Sequence, residues 1–197
     1  IMKKLVILFV LFLNISVFAQ DERECMLAEM PTLEDLKCIS EKGHLYSILP
    51  KITQYKGYLF AGYTKCNEPK LDFAQSFQFY YCIGNYDQQM RVEITDLESS
   101  FYKSEIGKAQ KEVILMVFKP EMINPYLQNF KSENKIFDIS TVRLPKVTNG
   151  KPYVAFEALQ NKRFWVHIVI DGDKFKTAKE VDEFINEYTS GFSLPKK

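Results

Sequence analysis

The sequence predicts an α+β fold: an antiparallel sheet of hairpins with helices packed on one face, closed by a C-terminal amphipathic helix. Three observations carry this prediction. Apolar and polar residues alternate around short turns at 73–94 and again at 153–170. Thr177 and Glu180 are spaced as a capping box, and Val181, Phe184, Ile185 and Tyr188 follow as one helical stripe. Phe164, Val166, Ile168 and Ile170 share one strand face, the kind of surface such a stripe covers.

Taken in order, the chain opens with Lys3 and Lys4 ahead of an unbroken apolar run from Leu5 to Leu13. Val17-Phe18-Ala19 then supplies a small-x-small cut site. Charge, apolar core and cut site together predict a cleavable export signal over 1–19. The run is shorter than the roughly 20 residues a bilayer span needs. No cysteine follows the expected cut, and Cys25 lies too far on for a lipid anchor. No stable membrane anchor is therefore expected after cleavage, and residues 20–197 are expected to form a single domain, secreted or periplasmic.

Residues 20–30 are acidic and polar. Thr32 and Asp35 open a helix with apolar Leu33, Leu36 and Ile39, which Gly43 stops. Residues 46–63 are loop-rich, with a short strand expected around Tyr58, Leu59 and Phe60. Phe73, Phe77, Phe79 and Tyr81 alternate up to a turn at Gly84-Asn85-Tyr86-Asp87, after which Met90, Val92 and Ile94 alternate back, a hairpin signature. Over 104–118, Ile106, Ala109, Val113 and Val117 fit one helical face. Pro120 and Pro125 start short turns, and 131–135 reads as a charged loop. A strand is expected over 139–144, then strands over 153–159 and 163–170 around a turn at Gln160-Asn161-Lys162. Gly191 is placed to end the last helix in a left-handed conformation.

Composition limits the function. The chain carries 26 basic and 25 acidic side chains. With Lys3 and Lys4 removed, 24 basic residues stand against 25 acidic ones, a balance of −1 with histidine neutral. A near-neutral chain with mixed signs has no global field for nucleic acid, and none is expected as a partner. Sixteen phenylalanines and eleven tyrosines supply much of the core.

Cys25, Cys38, Cys66 and Cys82 are an even set, which in an exported chain reads as two disulfides with three possible connectivities. Closeness in sequence favours Cys25–Cys38 and Cys66–Cys82. Zinc fails on spacing, since no C-x-x-C occurs, and no metal or cofactor is expected.

The strand Met90-Arg-Val-Glu-Ile-Thr-Asp96, the segment Asn149-Gly-Lys-Pro-Tyr153, and Arg163-Phe-Trp-Val-His-Ile-Val-Ile170 with its closing helix resemble exported bacterial proteins with a PsbP-like α+β fold. The resemblance spans about the last 110 residues. It implies a fold and no particular activity, because such proteins serve different roles.

Few residues are candidates for chemistry. His167 falls mid-strand, opposite the apolar stripe and beside Trp165. It is either a satisfied histidine on a second sheet face or a base within a concavity that Trp165 walls. No G-x-S-x-G, H-E-x-x-H, P-loop or G-x-G-x-x-G motif is present. Asp171-Gly172-Asp173 fails as a calcium loop, with Lys176 at the glycine position and Asp182 at the closing glutamate position. Glu93 and Asp96 are either an acid/base pair, which their separation in space decides, or solvent-facing strand residues, the reading expected here. Tyr80 and Tyr86 are candidate anchors for a partner, because tyrosine buries area at low entropic loss. The expected function is a non-catalytic binding module for a protein partner or a small apolar ligand, through Trp165, His167, Tyr80 and Tyr86. The alternative is a hydrolase-type enzyme using His167 with an acidic neighbour.

Overall fold

The computed structural model describes residues 24–36, 44–64, 75–144, 152–172 and 174–194. The expected signal over 1–19 and most of the helix expected from Thr32 to Gly43 lie outside them. The start of that helix is a single 3-10 turn, Glu34–Leu36, fixed by reciprocal hydrogen bonds between Thr32 and Asp35.

Among the described residues one eight-stranded antiparallel sheet organises the chain. Its strands are β1 (Gln54–Tyr55), β2 (Tyr58–Tyr63), β3 (Gln75–Ile83), β4 (Asn85–Asp96), β5 (Asn129–Lys131), β6 (Ile139–Arg143), β7 (Tyr153–Gln160) and β8 (Phe164–Asp171). Across the sheet the order is β1-β2-β3-β4-β8-β7-β6-β5, so β8 closes the gap between the N-terminal and C-terminal hairpins. Three helices accompany it: α1 (His44–Ile48), α2 (Glu105–Met116) and α3 (Ala178–Ser190). Helix α1 lies at the edge of what the sequence pattern reads as loop; Leu45 and Ile48 are buried there.

The alternation in sequence is realised as two faces. Phe77, Phe79 and Tyr81 of β3, Met90, Val92 and Ile94 of β4, Val154, Phe156 and Ala158 of β7, and the β8 stripe are all buried in one core. Val181, Ile185 and Tyr188 of α3 belong to the same core. Aromatic rings meet there mostly edge to face, as in Phe77–Phe79 at 4.8 Å and Tyr81–Tyr188 at 5.7 Å, the geometry their quadrupoles favour. The Tyr188 hydroxyl donates to that of Tyr81 at 3.1 Å, which gives a buried polar tip a partner. Burial pushes the Tyr81 phenol up to about 12.

The helical segments are not confined to one face. A second cluster of Leu97, Tyr102, Phe118 and Leu159, with Ile114 and Leu115 of α2 and Trp165 packed on it, uses the opposite side of β7 and β8. The reason is strand parity: Leu159 and Trp165 alternate with Ala158, Phe164 and Val166 and must point the other way. Helix α2 sits where expected, but Ile106, Ala109 and Val113 of its stripe are turned outward, while Val117 packs on the second cluster. Ile106 is 70% exposed and Val113 65%, while Gly107 is buried. Gly107 is what lets α2 dock this way round, since a Cβ there would stand 2.0 Å from the Phe101 carbonyl oxygen.

The capping box at Thr177 and Glu180 forms as expected. Gly191 does not end α3 in the left-handed region; its φ is −76°. The space there is tight instead: a Cβ would meet Ile52 Cδ1 at 2.9 Å and the Tyr188 carbonyl oxygen at 3.2 Å, so a larger residue would have to displace the end of the Ile52 side chain. The β3–β4 turn is tighter than the four residues expected. Ile83 pairs with Asn85 across Gly84 alone, and Cys82 pairs with Gln89 across a bulge. The charged loop at 131–135 begins as the edge strand β5, and its Ser132 and Asn134 are buried against α3 by hydrogen bonds to Asp182 and Thr189.

The disulfide pairing departs from expectation. Cys25 bonds Cys82, 57 residues away, with Cα atoms 5.8 Å apart. Neither Cys25–Cys38 nor Cys66–Cys82 is therefore formed; Cys38 and Cys66 lie outside the described residues. The cause is local pairing: the Cys25 N–H donates to the Gly84 carbonyl at 2.9 Å, and Glu24 bridges Asn85, which lays the N-terminal strap beside the β3–β4 turn.

Candidate functional site

The sheet face opposite the aromatic core carries the candidate residues. Register assembles them in rows. One row runs Thr141, Glu157, His167, Glu93, Gln78 across β6, β7, β8, β4 and β3. The row on one side runs Ile139, Leu159, Trp165, Thr95, Ser76; the row on the other runs Arg143, Ala155, Val169, Arg91, Tyr80. Cross-strand neighbours of this kind have Cβ atoms about 5 Å apart, so each row is a line of contacts.

His167 therefore stands between two carboxylates, Glu93 and Glu157. No hydrogen bond joins the imidazole to either of them among the described residues. Glu157 is buried and accepts from Arg143 at 2.7 Å. Glu93 accepts from Ser76 Oγ at 2.5 Å, and Thr95 donates to Ser76 at 3.1 Å. Burial holds His167 well down, to about 4, and the positive fields of Arg143 and Arg91 add to the effect. The imidazole is thus neutral at pH 7. Burial also raises the Glu157 carboxyl, opposed by Arg143 and by the nearby Trp165 indole. That indole Nε1–H is itself buried and has no partner of good hydrogen-bond geometry.

The four expected site residues do not converge on one place. His167 lines a shallow depression of about 340 Å³ with Gln78, Arg91, Glu93, Tyr153 and Val169. Trp165 stacks on His167, ring centroids 5.1 Å apart and planes 17° from parallel, but packs into the second cluster beside α2. Tyr80 and Tyr86 meet in a different depression, of about 350 Å³, with Gly62, Tyr63, Cys82 and Gln89. The Tyr80 hydroxyl donates to Gln78 Oε1 at 2.7 Å and is 3.0 Å from Thr64 Oγ1. Through Gln78 it leads toward the His167 depression.

Sequence reasoning missed Arg91, Tyr153 and the Arg143–Glu157 pair. Their signal was parity: each alternates with a core residue of its own strand, as Arg91 does with Met90 and Val92. Which of them share a row is set by register, which no single strand encodes. Among the described residues no group of His, Cys, Asp and Glu is arranged to hold a metal ion, and no helix there is long and apolar enough to cross a membrane. No protein-family model matches the chain, and no curated protein or solved structure is found to be similar to it.

Proposed function

We propose that this chain is a non-catalytic binding module of an oxidising extracytoplasmic space, and that it takes a protein partner on the open sheet face. The single observation behind this reading is the make-up of that face. Tyr153 is 49% exposed beside the His167 depression, and the Arg91 side chain is 51% exposed. Tyr80 and Tyr86 line the neighbouring hollow. Tyrosine and arginine around shallow relief are the side chains that carry binding energy at protein interfaces. A drug-sized ligand favours a deeper, mostly apolar cavity. The Cys25–Cys82 bond supports an oxidising compartment. In this reading α3 is the amphipathic cover of the apolar face, α2 covers only the Leu159 and Trp165 end of the other face and leaves the rows through His167 and Arg91 open, and the PsbP-like resemblance bears on the fold alone.

Affinity capture from the native envelope tests this proposal, comparing the protein with a Tyr80→Ala/Arg91→Ala/Tyr153→Ala variant. One stoichiometric partner, lost with the variant while its unfolding transition stays in place, is the expected result. Equal capture by both proteins defeats the reading.

One observation favours a second reading, a hydrolase: the neutral His167 lies in register between Glu93 and Glu157. A His167→Ala variant separates the two. Lost turnover of an ester or peptide substrate with intact partner binding points to the enzyme; turnover absent from the wild type points to the binding module.

A further inference from the structure

Lys174 ends in a box of aromatic rings. Its ammonium lies 4.8 Å from the ring centroid of Tyr58, 4.8 Å from that of Phe184 and 5.2 Å from that of Phe175. The rings stand as walls rather than as a stack: Phe184 is inclined 76° to Tyr58 and 63° to Phe175. Each wall is fixed by its own element. Tyr58 opens β2 and Phe184 rides on α3. Phe175 belongs to the loop between Gly172, whose φ of 116° turns the chain out of β8, and the Thr177 cap of α3. Tyr58 and Phe175 are buried in the main core and Phe184 packs against it, so burial holds the box together and Lys174 only fills it.

Lys174 is a poor fit for this place. A primary ammonium is compact and strongly hydrated. Here it donates to the Tyr58 hydroxyl at 3.0 Å, and no carboxylate pairs with it among the described residues. Burial lowers its pKa. Lys56, whose ammonium lies 5.1 Å from the same Phe184 ring, differs: it donates to the Glu183 and Phe184 carbonyls. Lys174 stands on irregular backbone and is exposed as a residue, so its side chain can swing into water while the walls stay in place. The dimensions suit a bulkier cation. Methyl carbons touch a ring at about 3.5–4 Å, which sets a methylated nitrogen about 4.5–5 Å away. Such a nitrogen has no N–H to leave unsatisfied and is attracted by every ring face.

We infer that the box of Tyr58, Phe175 and Phe184 binds a quaternary ammonium group, and that Lys174 is its internal occupant, displaced when such a ligand enters. The site lies on the α3 side of the sheet and does not rest on the reading of the open face.

Titration of the wild type and of Lys174→Ala with choline tests it, followed by the NMR shifts of the Tyr58 and Phe184 ring protons. A box filled about nine-tenths of the time by its own lysine weakens an outside ligand about tenfold. Lys174→Ala is therefore expected to bind choline about tenfold tighter than the wild type, with its unfolding midpoint unmoved because the residue is exposed. Ethanolamine, the primary amine, and dimethylbutanol, the uncharged carbon analogue, are each expected to bind Lys174→Ala at least about tenfold more weakly than choline. Cosedimentation with phosphatidylcholine vesicles distinguishes a lipid headgroup from a free solute, and choline binding supports the inference in either case. No choline binding by either protein, or shifts that miss the Tyr58 and Phe184 rings, overturns it. So does a Lys174→Ala variant that binds choline no tighter than the wild type does, or one that binds ethanolamine or dimethylbutanol as well as choline.

Discussion

The two faces of the sheet are built from the same strands by opposite rules. On the α3 side, Phe77, Phe79, Tyr81, Met90, Val92, Ile94, Val166 and Ile168 are fully buried, and their rings interlock. On the other side, the residues in between are Gln78, Tyr80, Arg91 and Glu93, held by hydrogen bonds and an ion pair, and His167, stacked on Trp165, and all are partly open to water. The first face contributes stability by removing apolar area from water, which is non-directional and tolerant. The second carries buried polar groups whose balance depends on each partner, because an unpaired buried charge is costly. A sheet that spends one face on its core can hold chemistry or recognition on the other, and perturbations of the two faces should differ in kind.

The largest effect is expected on the apolar face. Phe79→Ala removes a fully buried ring and should lower unfolding stability by about 3–5 kcal/mol. Urea denaturation measures it; a loss as small as that of a surface substitution would break the contrast.

The second effect belongs to His167 and is a matter of pH. Its pKa in the folded protein lies at about 4, below the ordinary 6.5. Between those values the unfolded chain takes up a proton that the folded chain refuses. Stability should therefore fall as pH drops from about 6.5 to about 4, by up to ~3 kcal/mol. Glu157 opposes this slope: its raised pKa favours the folded state in acid, a contribution lost as pH rises through its folded value. His167→Phe isolates the histidine's share. Its stability profile against pH, subtracted from that of the wild type, should reveal the slope, and parallel profiles would show that the imidazole is not shielded.

Next is Arg143→Met, which leaves the buried Glu157 carboxylate without its partner. A loss of about 2 kcal/mol at pH 7 is expected, less than for a fully enclosed pair because Arg143 is itself partly exposed. Adding Glu157→Gln should recover most of it, and a double variant as weak as the single one would remove the ion pair from the explanation. The smallest effect is Gln78→Ala, one position from Phe79 in sequence and on the other face, expected within about 0.5 kcal/mol in the same denaturation assay.

Much of the fold was legible because strand periodicity is local. Alternation placed both central hairpins, and the Thr177 box placed the start of α3, since each depends only on neighbours a few residues apart. Helix α2 shows the limit. Its apolar stripe marked the helix correctly and its inner side wrongly, because the choice was made by Gly107, a residue with no hydrophobic signal whose missing Cβ permits close contact with Phe101. The candidate site was legible in parts: His167 and Trp165 fell on the correct face, but Tyr80 and Tyr86 belong to a separate hollow.

What the sequence by itself determined was the secondary structure of the central and C-terminal strands, the identity of the buried stripe and the capping of the last helix. Each is decided by sterics and burial within a short stretch of chain. Only the tertiary structure decided that Cys25 meets Cys82, that Arg143 reaches Glu157, and that His167 stands between two carboxylates. Those contacts join residues far apart along the chain, and strand order and register, properties of no single segment, set the distances between them.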